Sequence, residues 1–130
     1  MASGAAQGDA QTCLRVARPV AAGVLALDGD FEAAGCRGAE PARRAFRRDR
    51  SLGYVVAARD LTPGEILAAP PLRLLAAWRP GQSIRLRVRA GQVTLERSVQ
   101  VVRPAARGEP VFVRGNDGAV FSASAAMVAP

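Results

Sequence analysis

The chain carries one corner motif twice, and that repeat limits what it can fold into. Val55 to Leu67 reads as a short strand, a charged corner at Arg59-Asp60, a Pro63-Gly64 turn and a return into apolar chain. An echo stands earlier, from Leu14 to Leu25. Arg18 matches Arg59, Gly23 matches Gly64, Leu25 matches Ile66 and Phe31 matches Leu72, all at one constant offset. Pro63 and Gly64 suit the two central positions of a type II turn, where proline presets φ and glycine takes a positive φ. Such corners leave room for short strands and little else.

The remaining chain is punctuated in the same way. Asp28-Gly29-Asp30 is a turn signal, and residues 30–34 are expected to form one helical turn closed by Gly35. Residues 37–50 read as an arginine-rich connector or surface helix, with Ala45 and Phe46 as its apolar anchors. Leu72 to Trp78 fits either a short helix or an extended edge. Beyond Pro80-Gly81 the alternation is the cleanest in the chain. Ile84, Leu86 and Val88 share one strand face, and Arg85, Arg87 and Arg89 share the other. Ala90-Gly91-Gln92 turns this strand into a hairpin in which Val93 and Leu95 continue the apolar face and Glu96 can pair with Arg85 or Arg87. Strands at 99–102, 111–113 and 119–123 follow, the last two joined by Gly115-Asn116-Asp117-Gly118. The expected fold class is therefore a small, mostly β domain with one or two short helical turns and no βαβ alternation.

Charge is the second constraint. All 18 basic residues are arginine, the net charge is +7, and histidine is absent. GC-rich coding accounts for lysine-free, alanine-rich composition; an acidic partner is the functional alternative. The excess lies in the connector and the C-terminal half: Arg37, Arg43, Arg44, Arg47, Arg48 and Arg50 stand against Glu40 and Asp49. Residues 1–11 are small and polar, an expected disordered N-terminus without a visible leader, and no stretch approaches the ~18 apolar residues of a membrane span.

Site chemistry is sparse. Without histidine there is no Ser/His or Cys/His nucleophile pair, and two cysteines cannot make a four-ligand zinc site. No lysine is available for Schiff-base chemistry. Asp28-Gly29-Asp30 opens like a calcium loop but lacks the later glycine and bidentate glutamate. Gly115 to Gly118 joins two strands, so it is a hairpin turn and not a phosphate loop. The reading is no enzyme, no catalytic residue, no cofactor, no metal and no small-molecule substrate. Nucleic acid is the weaker partner class, because the Arg85/Arg87/Arg89 face carries no aromatic to stack a base. Cys13 and Cys36 would close a loop of roughly two dozen residues, a bridge worth about 3 kcal/mol in an oxidising compartment. Their spacing leaves a bridge and two free thiols equally open.

Val56 to Leu67 resembles the opening of the SAF domain, a β-clip module. The downstream order (Pro80-Gly81-Gln82, Ile84 to Val88, the hairpin, Gly108, then Val111-Phe112-Val113-Arg114) is similar to the flagellar basal-body P-ring formation chaperone family. The resemblance covers roughly residues 54–130, with the earlier corner as a degenerate copy. It implies a periplasmic, non-enzymatic chaperone that binds the flagellar P-ring subunit, and a Cys13–Cys36 disulfide. A pilus- or secretion-type SAF assembly protein and a basic nucleic-acid-binding β-module are the alternatives. The expected organisation is a disordered segment at 1–11, an N-terminal partial repeat at 12–50 and an SAF-like domain at 51–130. Arg59, Asp60, Pro63 and Gly64 are expected to be a structural turn, and Arg85, Arg87 and Arg89 the partner-binding face.

Overall fold

The structure, a computed structural model, describes residues 12–129; the expectation for residues 1–11 lies outside them. The fold is mostly β, built from short strands with a few single helical turns. It divides into two compact units with the boundary between Leu75 and Ala76. That division differs from the expected boundary after residue 50. The reason is pairing across sequence: β1 (Cys13–Val16) hydrogen-bonds to β5 (Ile66–Ala68), and β3 (Phe46–Asp49) to β4 (Tyr54–Ala57). The repeated corner and its echo therefore belong to the same unit.

Within that first unit the two copies interlock. Val20 and Leu61 hold equivalent positions and bond each other in both directions, at 3.1 and 2.8 Å. The Gly64 N–H donates to the Val16 carbonyl (2.8 Å), and the Gly23 N–H returns the favour to Ala57 (2.7 Å). Likewise Val16 donates to Glu65, and Ala57 to Val24, both at 2.9 Å. Each bond has its counterpart in the other copy, so the halves are related by an internal two-fold with Val20 and Leu61 beside its axis. Both corners are i→i+3 turns, closed by Val24 on Ala21 and by Glu65 on Thr62, with Gly23 and Gly64 at φ +81° and +97°. Such angles are costly for residues with a Cβ.

Apolar side chains from both copies make one core: Val16, Val20, Phe31, Phe46, Val55, Leu61 and Leu67 are all buried in it. Burial of that kind is the main stabilising term of so small a unit. The correspondence between copies ends at Phe31, which is buried, and Leu72, which is 71% exposed. Residues 31–34 form a strand, β2 (Phe31–Ala34), and not the expected helical turn; pairing with β1 places Phe31 opposite Val16 and overrides the local signal. The connector is likewise structured. Ala42–Ala45 is one helical turn that runs directly into β3, with Ala45 and Phe46 buried.

The second unit holds a four-stranded antiparallel sheet in the order β11 (Val120–Ala123), β10 (Val111–Arg114), β8 (Val93–Val101), β7 (Ser83–Ala90). A two-stranded pair, β6 (Ala76–Trp78) with β9 (Ala105–Ala106), accompanies it. The β7–β8 turn is a two-residue loop with Gly91 first at φ +63°, the glycine position of a II′ hairpin. β8 runs unbroken where two strands were expected. Ile84, Leu86, Val99, Val101, Val111, Val113 and Ala123 form this unit's core. That core does not extend to the hairpin's tip: Val93 and Leu95 are 56% and 57% exposed.

Candidate functional site

Two clusters of charge stand out, and they differ in how their charges are used. At the corner the Arg59 guanidinium is clamped between two carboxylates, Glu65 at 2.6 Å and Glu40 at 3.0 Å, while its Nη1 donates to the Asp60 carbonyl at 2.8 Å. Glu65 also accepts the Thr62 N–H at 2.6 Å, which closes the turn from inside. The guanidinium holds the Glu65 carboxyl below the usual carboxylate range, with the Thr62 bond adding to the effect, and Glu65 and then Glu40 raise Arg59 in return. Asp60 does not pair with Arg59; its Oδ1 accepts the Ala22 N–H at 2.8 Å and ties the second corner to the first. Pro63 and Gly64 make the turn itself. The echo keeps the turn without the clamp, since Arg18 has no ion pair among the described residues and Glu65 corresponds to Val24. The Arg59 guanidinium and the Glu65 carboxylate are thus engaged within the fold.

Cys13 and Cys36 form a disulfide that ties β1 to the chain leaving β2. The Asp28–Asp30 segment is a single 3-10 turn in which buried Asp30 accepts the Leu27 N–H at 3.1 Å. No group of three or more metal-ligating side chains occurs among the described residues.

In the second unit the arginines point outward. Register places Arg85 opposite Ser98, Arg87 opposite Glu96 and Arg89 opposite Thr94, all on the sheet face away from the core. Glu96 serves two of them, Arg87 at 3.0 Å and Arg85 at 3.7 Å, and the three side chains remain 39–72% exposed. Exposed pairs of this kind contribute about 0–1 kcal/mol. Arg89 has no ion pair among the described residues. The outer edge of β7 is occupied at its middle: Val128 bridges Leu86, and Ala129 donates to the Arg85 carbonyl at 2.9 Å.

Sequence reading missed two arginines on the same face. Arg114 follows Phe112 by two residues on β10 and pairs in register with Gln100, which itself opposes Ser83. Arg103 folds over the Phe112 ring, its guanidinium carbon 3.8 Å from the centroid, so the face expected to carry no aromatic does carry one, already covered by an arginine. The Phe112/Arg114 alternation could have located the first. Nothing local announces the second, because a loop residue reaches a strand that begins eight positions later.

No family model matches the chain, and no curated protein matches it. Among solved structures it is similar to Salmonella FlgA in its open form (20% identity, 87% of this chain and 55% of that one, TM-score 0.40). It is also similar to the closed form (19% identity, 87% and 57%, TM-score 0.38). The chain thus spans little more than half the length of the structures it is similar to.

Proposed function

We propose that this protein is a non-enzymatic assembly chaperone of the SAF type, which binds an unassembled subunit of the flagellar P-ring in the periplasm. The observation that carries the reading is the pair of interlocked corners built on the Val56–Leu67 motif, the stretch whose resemblance to the SAF opening is strongest. Two further features support it. A disulfide between Cys13 and Cys36 suits an oxidising compartment. An exposed arginine face with few carboxylates suits transient, electrostatically steered protein binding. Because Val128 and Ala129 occupy the middle of the β7 edge, docking through the sheet face is favoured over strand addition along that edge.

Crosslinking of the exported protein against the P-ring subunit tests the proposal. A specific adduct, together with fewer assembled P-rings and reduced motility in the deletion strain, is the expected outcome. Normal P-rings and motility without the gene would refute it.

A further inference from the structure

We propose that the outer face of the four-stranded sheet is a trough that seats an acidic, extended segment of a protein partner, with Arg114 forming the wall opposite the arginines of β7. The proposal rests on the protein-docking reading above but not on which protein is bound.

The trough follows from register. β8 lies between β7 and β10, and its outward residues Ser98 and Gln100 are smaller than the arginines on either side. Together with Ser83, Arg114 and Asn116 they line a concavity of about 320 Å³. Arg85 stands beside Ser98 on one flank. Arg114 stands beside Gln100 on the other and has no ion pair among the described residues. Strands two apart in a sheet are separated by roughly 9.5 Å, a width that admits one extended backbone with its side chains directed to both walls. The floor is made of hydroxyl and amide groups, which can both donate to and accept from a peptide backbone.

Charge selects the ligand class. Across the four strands this face presents Arg85, Arg87, Arg89 and Arg114 against the single carboxylate of Glu96. Arg103, held on the Phe112 ring, adds another guanidinium to the same side. Alternate arginines on β7 recur every ~6.6–6.8 Å, the spacing of alternate carboxylates on an extended polypeptide. Single-stranded nucleic acid would satisfy the charge, but the stacking that adds to its backbone attraction needs free aromatic rings. Phe112, the aromatic ring on this face, is already capped by Arg103.

Fluorescence anisotropy with a labelled peptide alternating Glu and Thr tests the trough on the whole protein. The peptide is expected to bind, and its Gln/Thr analogue not to. Arg114→Gln should weaken binding about tenfold, the loss of a charge-assisted contact. Ser98→Trp, which fills the floor without altering charge, should weaken it as much; circular dichroism confirms that both variants are folded. Unchanged binding by both variants overturns the proposal, as does equal or tighter binding of a single-stranded oligonucleotide of the same charge. Peptide binding without P-ring subunit capture would break the flagellar assignment and leave the trough standing. Subunit capture without peptide binding would overturn the trough and leave the assignment intact.

Discussion

The corner of the first unit and the sheet face of the second use the same residue, arginine, to opposite ends. In the first, Arg59 is enclosed by Glu40 and Glu65 and its remaining donor is taken by a backbone carbonyl. In the second, Arg85 and Arg87 share Glu96, Arg89 and Arg114 have no ion pair among the described residues, and all four stay exposed. A charge whose partners lie in the same fold holds that fold together and has little left for a ligand. A charge left without one contributes little to stability and remains available. The contrast marks the Arg59 corner as scaffold and motivates the proposal that the outer sheet face is the working surface, although the sequence motif that first draws notice lies at the corner.

That division can be broken by mutation, and the chain supplies its own probes, since Tyr54 lies in the first unit and Trp78 in the second. The largest effect is expected for Leu61→Ala. Leu61 is 2% exposed and meets Val20 beside the internal two-fold, so a cavity there should cost about 3 kcal/mol in urea unfolding followed at Tyr54. Removing the disulfide as Cys13→Ser/Cys36→Ser should cost a similar or slightly smaller amount, about 3 kcal/mol for a separation of 23 residues. If either change shifted the Trp78 transition as far as that of Tyr54, the units would not be energetically separable.

Arg59→Leu should cost less, about 1–2 kcal/mol, because its side chain is 36% exposed and water screens both ion pairs. Its pH dependence sharpens the point. Glu65 titrates below its unfolded value, so its contribution is complete above about pH 4.3 and is lost as pH falls through the lower, folded value. Acid should therefore destabilise the first unit of the wild type, and Glu65→Gln should flatten that limb in thermal melts taken between neutral and acid pH. An unaltered acid limb in Glu65→Gln would remove Glu65 from the explanation.

Much of this contrast was legible in sequence, for a physical reason. Type II corners, the Gly91 hairpin and the alternation of β7 are each set by neighbouring residues, and period-2 patterning states which side chains share a face. The pairing partners of those elements were not legible. Nothing local tells that β1 pairs with β5, and so the repeat looked like a tandem copy when it is two halves of one interlocked unit. For the same reason residues 31–34 suggested a helical turn: Asp30 and Gly35 bracket them suitably, but Phe31 is buried opposite Val16. The Glu40 half of the Arg59 clamp and the Arg103 cap on Phe112 are contacts across loops, outside any periodic signal. Arg114 was visible in the alternation of β10 but gains meaning only when register sets it across Gln100 from the arginine strand.

The smallest stability effect per site and the largest functional one should come from the same variant. Replacing Arg85, Arg87, Arg89 and Arg114 together with glutamine should cost at most about 1 kcal/mol for each exposed Glu96 pair and less than about 0.5 kcal/mol at Arg89 and Arg114. The direct test is to compare this variant with Leu61→Ala for crosslinking to the P-ring subunit at a temperature where both are folded. The account predicts that the quadruple variant loses the adduct while Leu61→Ala, though less stable, retains it. An adduct retained by the quadruple variant and lost from folded Leu61→Ala would place the working surface at the corner and contradict the account.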